Sequence, residues 1–426
     1  MSSVRRVAIV GGVRTPFVKS FGKYQATNQE MQTEVLNQLA KRFKIKRVDE
    51  VVMGTITKAG TDWNMAREAV LGSTLDNSTP AFDLQRACGT GLSALIMIAN
   101  KIALGQIECG IAGGSDTNTK VSLEFSRQAS DKFIQLSRSR STGEMLKKMT
   151  GFRPKDFKPT VPGITEPRTG KSMGEHCELM AKEWKISREE QDQLAYQSHQ
   201  NGAKAYDEGF YKEMVQPFSN VDKDDILRPD TTLEKLAKLK PAFDKQNGTL
   251  TAGNSSSMTD GASAIYLTSE DYAKKHNLPV LAYFKDGQSS AVDFVSGFGL
   301  LMAPTLAVSQ LLERNHMSLQ DFHFYEIHEA FAAQVLCTLK AWEDESFCKD
   351  ILGRKQAMGS IDRSKMNTKG SSLALGHPFA ATGARIATTL AQLLSQSSPA
   401  SKGLISICTG GGMGVAAILE APGSHS

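Results

Sequence analysis

Long apolar runs, paired cysteines and a strong charge of one sign are all missing from this chain, and each absence removes a class of function. The most apolar helical stretch, around Leu92 to Leu104, is interrupted by Asn100 and Lys101. It falls short of the roughly 20 apolar residues that span a bilayer, so no transmembrane anchor is expected. The amino terminus leads directly into the apolar VAIVGG of residues 7–12, without a signal-peptide core or cleavage site. A cytoplasmic protein is therefore expected, peripheral to a membrane at most. The cysteines at 88, 109, 177, 337, 348 and 408 are scattered without a CxxC pair and read as reduced thiols. Neither they nor the histidines show compact ligand spacing, so no metal is expected. A formal net charge of +5 on 426 residues gives a whole-chain nucleic-acid role little support.

What is present points to a large globular chain: 426 residues at 40% apolar composition can bury a core that divides into two or three domains. Short apolar strands alternate with helical stretches. RVAIVGG and EVVMGTI read as strands, helices follow around Met65 to Leu75 and after Cys88, and CGIAGGS at residues 109–115 reads as a further strand. That alternation predicts an α/β sheet. From about Lys120 to Thr169 it lapses into a Ser, Arg, Lys and Pro-rich stretch. It resumes where Met173, Cys177, Met180, Ala181 and Trp184 fall on one helical stripe, a packing face. A weak internal echo also appears. A helix after Cys88 leads to GIAGGSD, and a helix after His377 leads to ISICTGGGMG, which suggests two related α/β halves.

Four stretches carry residues able to do chemistry. In RACGTGLSAL, Cys88 precedes a helix opened by Gly89 and Gly91, whose free amides and dipole could stabilise a thiolate. An isolated cysteine is more often a small buried apolar group, and sequence neighbours leave both readings open. In SLALGHPFAATGAR, His377 sits between a glycine and a proline at an expected strand-to-helix turn, where an imidazole could act as base or oxyanion donor. SICTGGGMG puts Cys408 at a strand end beside glycines whose backbone could approach a reacting carbonyl. YEIHEAFAAQ supplies His328 and Glu329 at another strand-to-helix junction. Taken singly, each histidine reads equally well as a satisfied structural group.

Together the four stretches resemble the thiolase family over nearly the whole chain. VRTPF, MGEHCELMAKEWKISREEQD and LTAGNSSSMTDGASA are similar to further thiolase segments. The resemblance implies a thiolase fold of two related α/β halves, with a loop domain inserted into the first. The expected division is 1–119 for the first part of the N-terminal half, 120–240 for the inserted loop domain, 241–272 for the end of that half and 273–426 for the C-terminal half. It implies that Cys88 accepts the acyl group, His377 activates it and Cys408 shuttles a proton. The Cys88 and Gly410 amides form one oxyanion hole; His377, with a water held by His328, forms the other. Ser256 is the matching coenzyme A contact, and Arg228 is a weaker match for an adenine-side contact because the flanking ILRPDTT departs from the pattern. A surface arginine explains Arg228 equally well.

Two departures are visible. HEAF stands where many thiolases have NEAF, so His328 replaces an asparagine, and this form most resembles the thiolase beta subunit of fatty-acid oxidation complexes. NTKGSS stands where NxxGG is common; Asn367 and Gly370 match, and Ser371 replaces a glycine. The implied activity is cleavage of 3-ketoacyl-CoA by CoA into acetyl-CoA and a shortened acyl-CoA, an acetyl-CoA acyltransferase reaction of fatty-acid beta-oxidation. No permanently bound cofactor is implied, coenzyme A being a co-substrate. The alternatives are a biosynthetic acetoacetyl-CoA thiolase and a non-catalytic lipid carrier or scaffold. The implied partners are acyl-CoA and CoA, a homodimer or larger assembly, a hydratase/dehydrogenase alpha subunit and a membrane surface. Arg127 to Lys158 holds nine basic residues against three acidic ones, a local +6, with apolar residues interspersed. Such a surface suits an anionic membrane or an acidic partner, and a merely solvated loop accounts for it equally.

Overall fold

Strand β1 (Val7–Arg14) is buried along its whole length, as a near-continuous apolar run in the middle of a covered sheet must be. The computed structural model describes residues 4–160, 163 and 165–423. The outer ends of the expected 1–119 and 273–426 units, and three residues of the 120–240 unit, lie outside the described residues. The first half continues with β2 (Val18–Lys19), α1 (Asn28–Phe43), β3 (Glu50–Gly54), α2 (Met65–Leu71), β4 (Ala81–Asp83), α3 (Thr90–Ala103) and β5 (Cys109–Asp116). Between β5 and the next sheet strand come α4 (Arg127–Ser137), α5 (Thr142–Met149), α6 (Met173–Glu183), α7 (Arg188–Asp207) and α8 (Leu233–Ala237). The sheet resumes with β6 (Thr259–Ser269), followed by α9 (Glu270–Lys275). The second half holds β7 (Ala282–Ala291), α10 (Ala303–Arg314), β8 (Phe324–Ile327), α11 (Ala332–Glu343) and α12 (Glu345–Asp350). It ends with α13 (Ser372–Leu375), α14 (Thr382–Ser395), β9 (Lys402–Thr409) and β10 (Met413–Glu420). Several helices start on capping boxes legible in the sequence, Thr27 with Glu30, Ser172 with Glu175 and Ser187 with Glu190.

The halves mirror one another in strand order and direction. The sheet runs β4-β3-β5-β6-β1-β7-β10-β9-β8, with β2 beside β6. Outward from β1 come β6 and β5, antiparallel to each other, and then β3, parallel to β5. Outward from β7 come β10 and β9, antiparallel, and then β8, parallel to β9. β1 and β7 pair antiparallel at the centre, and β4 extends the first half only. The echo between the two helix, strand and glycine-turn segments is thus a true structural repeat.

Helices α3 and α14 lie together between the two half-sheets. Leu92, Leu95 and Ile98 of α3 share one core with Ile386, Leu390 and Leu394 of α14, and with Val52, Ile265, Ile405 and Val415 from the strands. A Cβ on Gly91 would stand 2.7 Å from the Ala380 carbonyl oxygen, and one on Gly383 would stand 2.1 Å from the Leu92 nitrogen. Glycine is needed at both places because backbone, which cannot swing aside, occupies the space. Helices α1 and α2 cover the outer face of the first half, and α6, α10 and α11 that of the second.

The stretch from Lys120 to Thr169, which the sequence shows only as a lapse in alternation, contains α4, α5 and a short 3-10 turn, Pro154–Phe157. Its polar composition hid two amphipathic helices that bury little of themselves. A ring cluster of Phe125, Phe133, Phe152 and Phe157 holds them together, while Ile134, Leu146 and Met149 stay exposed. The stripe read on α6 is as expected, with Cys177, Met180 and Ala181 buried. The inserted segment is fastened to β1 by a buried pair: Arg14 donates through both terminal nitrogens to Asp224 at 2.6 Å. Asp224 also accepts from the Phe17 amide and the Tyr206 hydroxyl, so its oxygens are satisfied away from water. Among the described residues no helix is long and apolar enough to cross a membrane.

Candidate active site

Cys88 stands two residues ahead of α3, and the chain turns sharply to place it there. Ala87 adopts φ +43°, a region that non-glycine residues seldom occupy outside functional turns. Thr90 fixes the turn by accepting from the Arg86 amide at 2.8 Å and donating to the Ala87 carbonyl at 2.7 Å. His377 arrives from the other half. The sequence reading of a strand-to-helix turn at this point is corrected: the residues before Gly376 form the single helical turn α13, and a 3-10 turn, Phe379–Ala381, follows Pro378. Small residues and a proline beside an apolar run read as strand because one helical turn is too short to show a 3.6 period. Gly376, at φ +107°, lets the chain reverse after that turn. The His377 amide then donates to Thr259 Oγ1 at 2.8 Å.

The two residues meet. His377 Nε2 lies 3.1 Å from Cys88 Sγ, and His377 Nδ1 lies 2.6 Å from Thr382 Oγ1 at the start of α14. With Nδ1–H donating to Thr382, the Nε2 lone pair faces the thiol, the form able to take its proton. Burial, and secondarily the Arg385 charge, lower the His377 pKa to about 3. Burial also pushes the Cys88 thiol up to about 12, against the opposing pull of the Gly410 and Cys88 amides. The amides that favour a thiolate are thus those of Gly410 and Cys88 itself rather than those of Gly89 and Gly91, and desolvation outweighs them. The resting pair is a neutral thiol beside a neutral imidazole.

Cys408 and Gly410 sit at the end of β9, and with Cys88 and His377 they line a cavity of about 540 Å3, open mouth included. Cys408 is buried, and burial, then the neighbouring Cys88, raise its pKa well above the ordinary thiol value. Ser256 lines the same cavity, together with Met173, Met258 and Phe331. Arg228 does not: it is exposed, with its guanidinium on the Asp225 carbonyl. His328 follows β8 and lies against His377, with ring centroids 4.2 Å apart. Its Nδ1 meets Ser372 Oγ at 2.8 Å, and Ser372 Oγ also accepts from Arg385 at 2.7 Å. His328 Nε2 is buried without a hydrogen-bond partner. Burial lowers the His328 pKa well below the ordinary value, and the nearby His377 and Arg385 add to the effect.

Several supporting residues escaped the sequence reading. Glu166, from the inserted segment, accepts from the Gly411 amide at 2.6 Å and so grips the glycine turn beside Gly410. Thr382 and Thr259 orient His377, and Ser372 with Arg385 orients His328. Arg385 had a signal, a cation inside the apolar helix after GHP; the others are ordinary polar residues distant in sequence. Glu329 holds no exposed position: it accepts from Ser198, Asn367 and the Leu373 amide and ties the HEAF segment to the 367–373 loop. Asn367 and Gly370 build that loop at positive φ, and Ser371 is buried there and accepts from Arg385. All six cysteines are free thiols. The atoms of Cys88, His328 and His377 able to bind a metal lie within 4.8 Å of one another, a convergence that sequence spacing did not reveal.

Mirrored α/β halves with a cysteine and a histidine meeting at the starts of the two central helices define a thiolase-type protein. The thiolase N-terminal domain model matches residues 7–271, and the thiolase C-terminal domain model matches residues 278–421. A 3-ketoacyl-CoA thiolase of Shewanella baltica (strain OS185) is 39% identical over 424 residues, covering 97% of both chains. The crystal structure of the Bacillus anthracis acetyl-CoA acetyltransferase superposes with a TM-score of 0.83 at 30% identity, covering 99% of this chain and 100% of that one. That of human mitochondrial 3-ketoacyl-CoA thiolase gives 0.80 at 28%, covering 98% and 99%. The chain belongs to the thiolase family.

Proposed function

We propose that this protein is a 3-ketoacyl-CoA thiolase, an acetyl-CoA acyltransferase of fatty-acid beta-oxidation. The observation that carries the reading is the 3.1 Å contact of Cys88 Sγ with His377 Nε2 in a cavity shared with Cys408 and Gly410. His377 takes the Cys88 proton and the thiolate attacks the keto carbon. The adjacent carbon-carbon bond breaks, leaving a shortened acyl thioester on Cys88 and the enolate of acetyl-CoA, which Cys408 protonates. Cys408, now a thiolate, deprotonates incoming CoA. The CoA thiolate displaces the acyl group, and Cys88 recovers its proton from His377. The Cys88 and Gly410 amides stabilise the tetrahedral oxyanion, while His377 and a water held by His328 serve the thioester oxygen; one such donor is worth about 3 kcal/mol to a transition state. Burial pushes the Cys88 thiol up and the His377 imidazole down, so the proton transfer is coupled to attack on the substrate, whose developing oxyanion the amides stabilise. Coenzyme A is consumed as co-substrate, and the mechanism calls for no resident cofactor.

Ser256 supports the CoA arm from the cavity wall, and Arg228 is assigned to the adenine end at the surface. The 1–119, 120–240, 241–272 and 273–426 division is proposed as the domain organisation. A medium- or long-chain substrate is proposed from the resemblance to oxidation-complex subunits, and a chain-length series in the thiolysis direction tests it. Activity confined to acetoacetyl-CoA would favour the biosynthetic reading. Failure to acylate at all would favour the silent carrier.

The cytoplasm is the proposed location, with a dimer or larger assembly, an alpha-subunit partner and peripheral membrane contact. The exposed apolar residues of α4 and α5, set among basic ones, support the docking role. Neutralising Lys147, Lys148, Arg153 and Lys155 should weaken binding to anionic vesicles or partner without changing thiolysis of soluble substrate. Co-sedimentation across a salt series measures this. Undiminished binding at every salt concentration removes the docking role, and a monomer by light scattering removes the oligomer.

A further inference from the structure

We propose that Cys88, His377 and His328 together form an inhibitory binding site for a thiophilic divalent cation, zinc above all. The inference goes beyond the proposed reaction and rests on the geometry of three side chains, whether or not they carry out thiolysis. Their ligand atoms lie within 4.8 Å of one another, and the Cys88 Sγ to His377 Nε2 separation is 3.1 Å. Bonds of about 2.3 Å to sulfur and about 2.0 Å to nitrogen in a tetrahedral site keep neighbouring ligand atoms between three and four ångströms apart, so small side-chain adjustments suffice.

The second observation is His328 Nε2. It is fully buried and has no hydrogen-bond partner, while its ring lies 4.2 Å from that of His377. In the proposed reaction this nitrogen holds a water, and a cation would displace that water rather than compete with a protein hydrogen bond. The outer contacts already suit metal binding. Thr382 Oγ1 can accept from His377 Nδ1–H, and Ser372 Oγ, held by Arg385, can accept from His328 Nδ1–H. The His377 Nε2 lone pair then faces Cys88 and the His328 Nε2 lone pair is left free, the arrangement that supporting hydrogen bonds give metal-ligating histidines. On binding, a bond forms from the cation to Cys88 Sγ and the thiol proton leaves to solvent. Two imidazole nitrogens complete a one-cysteine, two-histidine set, and the fourth position opens to the cavity for water. No electron changes hands. Occupancy would block the nucleophile, its base and the neighbouring oxyanion donor at once. An asparagine at 328 would offer only an amide in place of the second imidazole nitrogen, so HEAF is the feature that completes the site.

The full chain is titrated with cobalt(II) as a spectroscopic probe, and zinc is then used to displace it. A sulfur-to-cobalt charge-transfer band saturating at one ion per chain is expected. It should be abolished in Cys88→Ser, retained in Cys408→Ala and reached only at roughly 10–100-fold higher concentration in His328→Asn. In the unaltered protein, zinc should protect Cys88 from iodoacetamide, read by peptide mass spectrometry, and a chelator should restore alkylation. A band that survives Cys88→Ser, disappears only in Cys408→Ala or is unmoved in His328→Asn overturns the site, as does alkylation of Cys88 at the same rate with and without zinc. None of these readouts uses turnover, so their failure is distinct from failure of the thiolase reading, and the alkylation arm needs no variant to fold.

Discussion

The two halves make the same antiparallel step in very different ways. β9 passes to β10 through Gly410–Gly412 alone, whereas β5 passes to β6 through residues 117–258. The short connection brings the Gly410 amide to the Cys88 thiol; the long one returns over the same cavity with Met173, Ser256 and Met258. A tight sheet hairpin thus supplies polar backbone groups to the cavity, and the insertion supplies part of its apolar wall. Glu166 joins the two, reaching from the insertion to the Gly411 amide. The two central helices differ in the same way at their starts, with a cysteine before α3 and a histidine before α14.

The largest expected effects come from breaking that division of roles. Cys88→Ala should lower turnover about 10⁴-fold or more, and His377→Gln about 10²–10⁴-fold. Intact-protein mass spectrometry after acyl-CoA treatment should show label in wild type and none in Cys88→Ala, whereas Cys408→Ala should label and turn over poorly. Equal labelling of wild type and Cys88→Ala would falsify the assignment of roles.

Next in size is the anchor of the insertion. Asp224→Ala leaves Arg14 buried without its partner and should cost about 3–5 kcal/mol of stability by denaturant titration; a loss under about 1 kcal/mol would mean the insertion is held elsewhere. Uncoupling the insertion from the hairpin is a smaller change. Glu166→Ala should reduce kcat roughly tenfold with little change in KM, while Glu166→Gln, which keeps an acceptor for Gly411, should recover most of it. If glutamine is as poor as alanine, the carboxylate acts by charge rather than by placing the turn.

A last expected effect is the contribution of one buried histidine of the insertion to the pH dependence of stability. His199 Nδ1 accepts from the Arg228 amide at 3.2 Å, and burial, reinforced by the Arg228 charge, lowers its pKa to about 4. Because the unfolded chain binds this proton first, stability is complete above about pH 6.5 and is lost as pH falls toward 4, by at most about 1.4 kcal/mol per pH unit. His199→Gln should flatten that part of the stability profile; an unchanged slope would show that the histidine is not what makes the insertion acid-sensitive.

Much of this arrangement was legible before the fold was known. Strand and helix alternation and the repeat of helix, strand and glycine turn rest on local patterns, apolar periodicity and glycines at turns, while the four motifs around Cys88, His328, His377 and Cys408 were legible together, by their resemblance to the thiolase family. The helices of residues 127–149 were not legible, because they bury too little to imprint an apolar period. The single turn before His377 was too short to distinguish from a strand.

The sequence by itself determined which segments carry residues able to do chemistry, since that is a property of residue type, while neighbours along the chain left a structural reading of each equally open. Only the tertiary structure decided that Cys88 meets His377 at 3.1 Å, that Thr382, Ser372, Arg385 and Glu166 hold the reacting groups, and that His328 Nε2 is left unpartnered beside them. Those are contacts between residues far apart in the chain. They exist because Gly91 and Gly383 let the two central helices touch backbone to backbone, and because a β-sheet sets strand order by long-range hydrogen bonds rather than by sequence proximity.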